Sequence, residues 1–312
     1  MLRHRTSGLE AGRKSRLTRG EPIAPTIHLI AIGSELLNGE TRDTNLAWLI
    51  HFFTRKAGKI LRAVVIRDDF DSVKWEIERA RSEGIDLMVT TGGLGPTDDD
   101  ATLAAIAGCL DLPLKLNEEA LGLVMERISA MARFRPGIPH KLTKERKGMA
   151  LFPQGGIPLR NPAGVAPGML HTVQGTTLVA VPGVPSEMRG IIRETLRDFW
   201  KDFFEGVCYV RRNIIVKGVP EAELAPYMRR ANTVDPGVYI KSKLKVVGKI
   251  VATDKVCPPE KLPWEIVLHF SIIECTRGDG KRRTDRLVDS LVSDLRKRYK
   301  HPLHIDLRPG RV

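Results

Sequence analysis

Residues 90–102 read TTGGLGPTDDDAT, in which three glycines and a proline within five residues are followed by three aspartates. Glycines at this density let a backbone approach a ligand closely, and a phosphate is the usual one. Carboxylates repel phosphate, so the two halves of the loop ask for different partners. The acids have two readings. In the first, Thr97 and Asp100 form a T-x-x-D capping box, and acids in a first helical turn suit the helix dipole by about 0.3–1 kcal/mol each. In the second, a hard divalent cation lies between the acids and an anionic ligand. Gly92, Gly93 and Gly95 then turn N–H groups toward phosphate, while Asp99 and Asp100 hold the metal, which polarises phosphorus and acidifies a bound water.

Other polar residues gather in three further stretches. GSELLNGETRDTN (33–45) carries Glu35, Asp43 and Asn45, NPAGVAPG (161–168) carries Asn161, Gly164 and Gly168, and VPGVPSEM (181–188) carries Glu187. Each has a plainer reading. Asp43 precedes a helix and can cap it, the Pro-framed loop can be turn chemistry alone, and Glu187 is a first-turn acid.

Position depends on the elements between them. IHLIAIG (27–33), KILRAVVIRD (59–68), IDLMVTTG (85–92) and TTLVAVPG (176–183) read as buried strands. TNLAWLIHFFTRKAG (44–58), DSVKWEIERARSEG (71–84), a helix from Asp99 to Gly108, NEEALGLVMERISAMAR (117–133) and a segment from Pro185 to about Phe204 read as helices. This alternation predicts an α/β fold with a mostly parallel sheet covered on both faces, and ligands in such sheets sit beyond the carboxyl ends of the strands. If the first and third strands are neighbours, the loops carrying Glu35 and Asp100 share one crevice.

The four motifs, in this order over about 160 residues, resemble the CinA-like branch of the MoaB/Mog (molybdopterin-binding) superfamily. The resemblance covers about residues 26–205 and implies a three-layer α/β/α domain that binds a nucleotide or a pterin phosphate. In CinA-like proteins such a domain is associated with metal-dependent ADP-ribose pyrophosphatase activity; relatives adenylylate molybdopterin or insert molybdenum. The resemblance implies Asp99, Asp100 and Glu35 as catalytic acids, with Asp99 and Asp100 holding a divalent cation (Mg, Mn or Co). It implies Gly92, Gly93, Gly95, Thr97, Thr102, Asp43, Asn45, Asn161, Gly164 and Glu187 as ligand contacts. Ser34 stands where some relatives carry an acid and receives no metal role. The C-terminal deamidase domain of many CinA proteins is not expected in this chain.

Lys and Arg exceed Asp and Glu by 13 over the chain. The balance is +4 for residues 1–25, −1 for 26–206 and +10 for 207–312, which sets an expected boundary near 205. Residues 1–25 read as a disordered basic tail, 26–205 as the MoaB/Mog-like domain, and 206–312 as a small basic α/β unit of order β-α-β-β-α. That last unit is similar to the KH-type module that follows this domain in CinA but has no G-x-x-G loop. Lys241, Lys243 and Lys245 alternate along a strand, and Arg282, Arg283 and Arg286 lie on or before a helix; a solvated surface is favoured over RNA as their role. Cys109, Cys208, Cys257 and Cys275 form no C-x-x-C and read as reduced thiols. His301 and His304 are weak evidence of a metal site. No apolar run approaches the roughly 20 residues of a membrane span, and no secretory signal is visible. A cytoplasmic location, a homo-oligomer and no membrane partner are expected.

Overall fold

The computed structural model describes residues 23–97, 100–134, 142–217, 219–246, 264–299 and 305–309. The chain forms two compact units, one containing Ile23–Thr54 and Gly58–Glu205 and the other containing the residues from Gly206 onward.

In the first unit β1 (Thr26–Ile32), β2 (Lys59–Ile66), β3 (Leu87–Thr91), β7 (Gly168–Val173), β8 (Thr176–Val181) and the short β6 (Ile157–Leu159) form one sheet in the order β2-β1-β3-β8-β7-β6. The first four strands in that order are parallel, and β7 pairs antiparallel with both β8 and β6. Nearly every residue of β1, β3 and β8 is buried, as a strand covered on both faces requires. The covering helices include α2 (Asn45–Arg55), α3 (Phe70–Ser82), α4 (Thr102–Cys109) and α5 (Glu118–Phe134). Between α5 and β6 lie the short α6 (Lys144–Gly148) and β5 (Leu151–Pro153), the latter paired with β4 (Leu114–Leu116).

The segment after β8 is helical from Pro185 to Phe203: α7 (Pro185–Gly190), a π-turn (Ile191–Thr195) and α8 (Arg197–Phe203). Trp200 explains part of this. It is 1% exposed, its indole N–H donates to the Ile192 carbonyl (2.8 Å), and its ring meets Phe53, Phe199, Phe203 and Phe204. A second buried polar contact joins β1 to α3, where His28 Nε2 stands 2.9 Å from Glu76 Oε1. Burial pushes the His28 pKa down and the Glu76 pKa up, toward the neutral form of each.

In the second unit β9 (Cys208–Lys217), α9 (Glu221–Val234), β10 (Tyr239–Val246), β11 (Trp264–Glu274), α10 (Arg277–Arg298) and β12 (Ile305–Pro309) build an antiparallel sheet in the order β10-β11-β9-β12. Val210, Ile214 and Val216 of β9 and Leu268 and Phe270 of β11 pack with Leu287, Leu291 and Leu295 of α10. The order therefore continues past the expected β-α-β-β-α with a final strand. Helix α10 begins at Arg277, because Thr276 accepts the Asp279 N–H (3.1 Å) as its N-cap, so Arg282, Arg283 and Arg286 all lie within it. The residues expected to form a basic tail up to position 22, along with Cys257, His301 and His304, lie outside the described residues.

Candidate functional site

Strands β1 and β3 are neighbours, so the loops leaving their carboxyl ends share one crevice. It is a cleft of about 890 Å³, lined among others by Gly33, Glu35, Asp68, Gly92, Gly93, Gly95, Thr97, Asp100, Arg146, Gly164 and Glu187.

The glycine loop is shaped by packing more than by phosphate access. Gly92 has φ +114°, and a Cβ there would stand 2.1 Å from the Ile32 carbonyl oxygen. Its N–H donates to the Val181 carbonyl (3.0 Å), so it is not available to a ligand as expected. Gly93 has φ +66°, and a Cβ would meet Thr102 Oγ1 at 2.2 Å. Thr102 is buried, its hydroxyl donates to the Gly92 carbonyl (3.0 Å) and its N–H to the Gly93 carbonyl (3.2 Å). It pins the loop and is not among the residues that line the cleft. Among the described residues the N–H groups of Gly93, Leu94 and Gly95 meet no acceptor, and all three residues line the cleft.

Asp100 is held in place. Its Oδ2 accepts from the Thr97 N–H (2.9 Å) and Oγ1 (2.5 Å). A Cβ on Gly95 would lie 2.6 Å from that same oxygen, so the third glycine makes room for a carboxylate. The capping reading is only half realised. The Thr97–Asp100 turn forms, but α4 starts at Thr102 with Ala101 as N-cap, later than the expected Asp99. Asp99 lies outside the described residues.

Across the cleft the short helix α1 (Ser34–Leu37) carries Glu35, whose carboxylate folds over Gly33, 2.5 Å from where a Cβ would be. Ser34 Oγ donates to Asp68 Oδ1 (2.7 Å). Asp43 and Asn45, both expected at the ligand, are placed elsewhere. Asp43 accepts the N–H groups of Asn45 (3.0 Å) and Leu46 (3.2 Å) and caps α2. Asn45 is buried and its Nδ2 donates to Thr91 Oγ1 (3.0 Å) and the Gly183 carbonyl (2.7 Å). It latches three loops together beneath the cleft.

The last two motifs are one assembly. Asn161 is 2% exposed; its Oδ1 accepts the N–H groups of Ala163 (3.0 Å) and Gly164 (2.8 Å). Its Nδ2 donates to the Ala166 carbonyl (2.8 Å) and to Glu187 Oε2 (2.6 Å). A Cβ on Gly164 would lie 2.1 Å from Glu187 Cδ, and one on Gly190 would lie 2.6 Å from Pro162 Cγ. Gly164 and Glu187 line the cleft, whereas Asn161, with every polar atom satisfied, positions them from behind. Asn161→Ala is expected to lower stability by about 2–4 kcal/mol, since it strands several buried groups at once. Equilibrium urea unfolding measures this, and a loss below about 1 kcal/mol would contradict it.

Among the described residues the cleft walls thus present four carboxylates, Glu35, Asp68, Asp100 and Glu187, against one guanidinium, Arg146. These are hard oxygen donors, the chemistry that suits Mg²⁺ and similar ions. No three His, Cys, Asp or Glu among the described residues are grouped to hold a metal by themselves.

Residues 28–202 match the sequence family described as "Probable molybdopterin binding domain". The chain belongs to this family. Within it the molybdopterin-binding domain here is CinA-like. The crystal structure of the protein CinA from Thermoplasma acidophilum is similar to it at 33% identity and a TM-score of 0.51, over 57% of this chain and 98% of that one. A protein of Aeropyrum pernix is 39% identical over 218 residues, covering 70% of this chain and 78% of its own length. One of Thermoplasma volcanium is 36% identical over 217 residues, covering 70% and 80%. No helix among the described residues is long and apolar enough to cross a membrane.

Two charged residues of this molybdopterin-binding domain escape a reading of motifs. Asp68 lies two residues past the end of strand β2, and its place at a carboxyl end was a usable signal. Arg146 sits on the short α6, inside a Pro-, Gly- and Lys-rich stretch with no periodicity to mark it.

Proposed function

We propose that the protein is a metal-dependent nucleotide pyrophosphatase that hydrolyses ADP-ribose or a similar dinucleotide in this cleft. The observation that supports it is the pairing of loop N–H groups that meet no acceptor among the described residues with an excess of carboxylates on the described walls. A phosphate can enter such a site only when a cation offsets the acids.

Asp100, with its sequence neighbour Asp99, would hold the divalent cation (Mg, Mn or Co). Ions of this kind take one or two protein carboxylates and complete their shell with substrate phosphate and water, so a cluster of three protein ligands is not required. When bound, the cation supplies charge neutralisation and a more acidic water. The remaining work falls to the chain. The N–H groups of Gly93 and Gly95 receive phosphate oxygens, and Thr97 holds Asp100 in its rotamer. Glu35, exposed on the opposite wall, accepts the proton as water attacks phosphorus. The P–O bond to the bridging oxygen breaks, and the products are AMP and ribose 5-phosphate. Glu187 and Arg146 also line the cleft and would meet the second half of a dinucleotide.

Adenylylation of molybdopterin is the second reading, favoured by the family match over residues 28–202. A phosphate oxygen then replaces water as the attacking group.

A mass-spectrometric screen separates the two, with ADP-ribose or with ATP plus molybdopterin as substrates. AMP and ribose 5-phosphate from ADP-ribose are the expected products. EDTA should reduce their formation to background and Mg²⁺, Mn²⁺ or Co²⁺ should restore it. Full turnover in EDTA would remove the cation from the reaction.

A further inference from the structure

The β-α-β-β-α-β order of the second unit puts both helices on one side of its sheet, and no helix among the described residues of this unit covers the other side, on which Ile215 and Glu265 are nevertheless buried. Side chains alternate along each strand, so the odd-numbered residues of β9, β10 and β11 face away from the core formed by Val210, Ile214, Leu268 and Phe270. The strand register then fixes rows across this face. Tyr239, Ser271 and Arg211 form one row, Lys241, His269 and Asn213 the next, then Lys243, Val267 and Ile215, then Lys245, Glu265 and Lys217. Tyr209 lies beside Ile273 at the near end.

On the helix side, cations meet acids: Arg212 with Asp285 (2.6 Å), Arg230 with Asp294 (3.3 Å), and Arg283 with Asp235 (2.8 Å) and Glu274. Arg283 is therefore a structural bridge and not part of an exposed basic surface. On the open side, the described charged side chains are Arg211, Lys217, Lys241, Lys243 and Lys245 against Glu265, which takes Lys217 (2.8 Å) and stands 3.8 Å from Lys245. Lys241 and Lys243 are exposed and have no acidic partner among the described residues. Arg211 donates to a neutral group, Asn213 Oδ1 (3.0 Å), and its guanidinium lies 2.7 Å from His269 Nδ1, which itself stands 2.6 Å from Asn213 Oδ1. Burial, with help from Arg211 and Lys243, pushes the His269 pKa down, which keeps its ring uncharged.

Rings accompany these cations. Tyr239 is 62% exposed in the row next to the lysines, and His269 and Tyr209 are half-buried on the central strands. These tyrosines supply the aromatic platform that a basic surface needs before it can stack bases. Alternate residues of β10 place successive ammonium groups roughly 6.8 Å apart, in a row that an extended sugar-phosphate chain can follow.

We infer that this open sheet face binds single-stranded nucleic acid, with Lys241, Lys243 and Arg211 on phosphates and Tyr239 stacking on a base. A duplex fits the face less well, because its bases are already stacked on one another and its grooves need a protruding element. The inference concerns the second unit alone and stands or falls separately from the pyrophosphatase reading.

Fluorescence anisotropy of the full chain with a labelled oligouridine of about 12 nucleotides tests it. The wild type should bind, and Lys241→Glu/Lys243→Glu should weaken binding by roughly tenfold or more. Because this pair no longer neutralises two phosphates, the slope of log K against log salt should fall by about 1.4. Tyr239→Ala should cost at least roughly fivefold, because it removes the stacking ring without a change in charge. Lys281→Glu/Arg286→Glu on the helix side carries the same charge change and should leave affinity within about twofold. If the Glu pair melts early, Lys241→Ala/Lys243→Ala replaces it, with a smaller loss in the same direction expected. Equal weakening by the helix-side pair would overturn the proposal, as would binding to anionic phosphatidylserine vesicles without binding to the oligonucleotide. So would an absence of oligonucleotide binding by the wild type.

Discussion

Asp100→Asn should cut metal-dependent cleavage of ADP-ribose by about 100-fold or more while leaving the fold intact. Asn is nearly isosteric with Asp, and its amide oxygen can still accept from the Thr97 N–H and hydroxyl that now hold Asp100. What it loses is the negative charge that retains a hard cation. Stability gives an independent readout. Helix α4 starts at Thr102 and takes no side-chain cap, so Asp100 is not its N-cap. Its replacement should shift stability by no more than about 1 kcal/mol in either direction. Turnover at saturating Mg²⁺ or Mn²⁺ is compared with the melting temperature in EDTA, and Asp99→Asn is measured alongside. Unchanged turnover in both variants would reduce the aspartates to turn chemistry.

Gly92→Ala should have the largest effect on folding. The new methyl would lie 2.1 Å from the Ile32 carbonyl oxygen, a backbone atom on the central strand β1. The residue also sits at φ +114°, which L side chains rarely adopt. Strain and overlap together point to a loss of about 2–5 kcal/mol. Urea unfolding, or the yield of folded protein if the variant does not accumulate, measures it. Gly39→Ala is the matched control. That glycine also has positive φ (+76°), but nothing lies within 4 Å of a Cβ there, so the cost should be only about 1 kcal/mol. Equal losses in the two variants would show that conformation alone, without the contact to Ile32, accounts for the effect.

The parallel half of the sheet was legible because its strands are mostly apolar runs and its helices carry regular apolar stripes. Whatever lacked one of those signals was missed. β6 and β7 are short antiparallel strands, and α1 and α6 are helices of one turn, too brief to show a period. β12 follows residues with no apolar alternation. The site was legible as a set of motifs, but the work done by each residue was not. Asp43, Asn45, Thr102 and Asn161 resemble ligand contacts in type and spacing, yet they cap, latch or pin the loops whose other members line the cleft. A motif records that residues depend on each other; it does not say whether a ligand or a neighbouring loop is what they touch. Gly164 shows the difference, since the carboxylate of Glu187, and no ligand, occupies the space that its missing side chain leaves.

The central claim is that phosphate enters this acid-lined cleft only together with a divalent cation. Calorimetric titration of AMP, the adenylate product of the proposed cleavage, tests it without interference from turnover. The wild type is compared in Mn²⁺ and in EDTA, and Asp100→Asn is titrated in Mn²⁺. The account predicts measurable binding for the wild type in Mn²⁺, with affinity lower by roughly 100-fold or more in EDTA and in the variant. Equal affinity in all three titrations would contradict it, because the four carboxylates of the cleft would then be admitting phosphate without any cation between them.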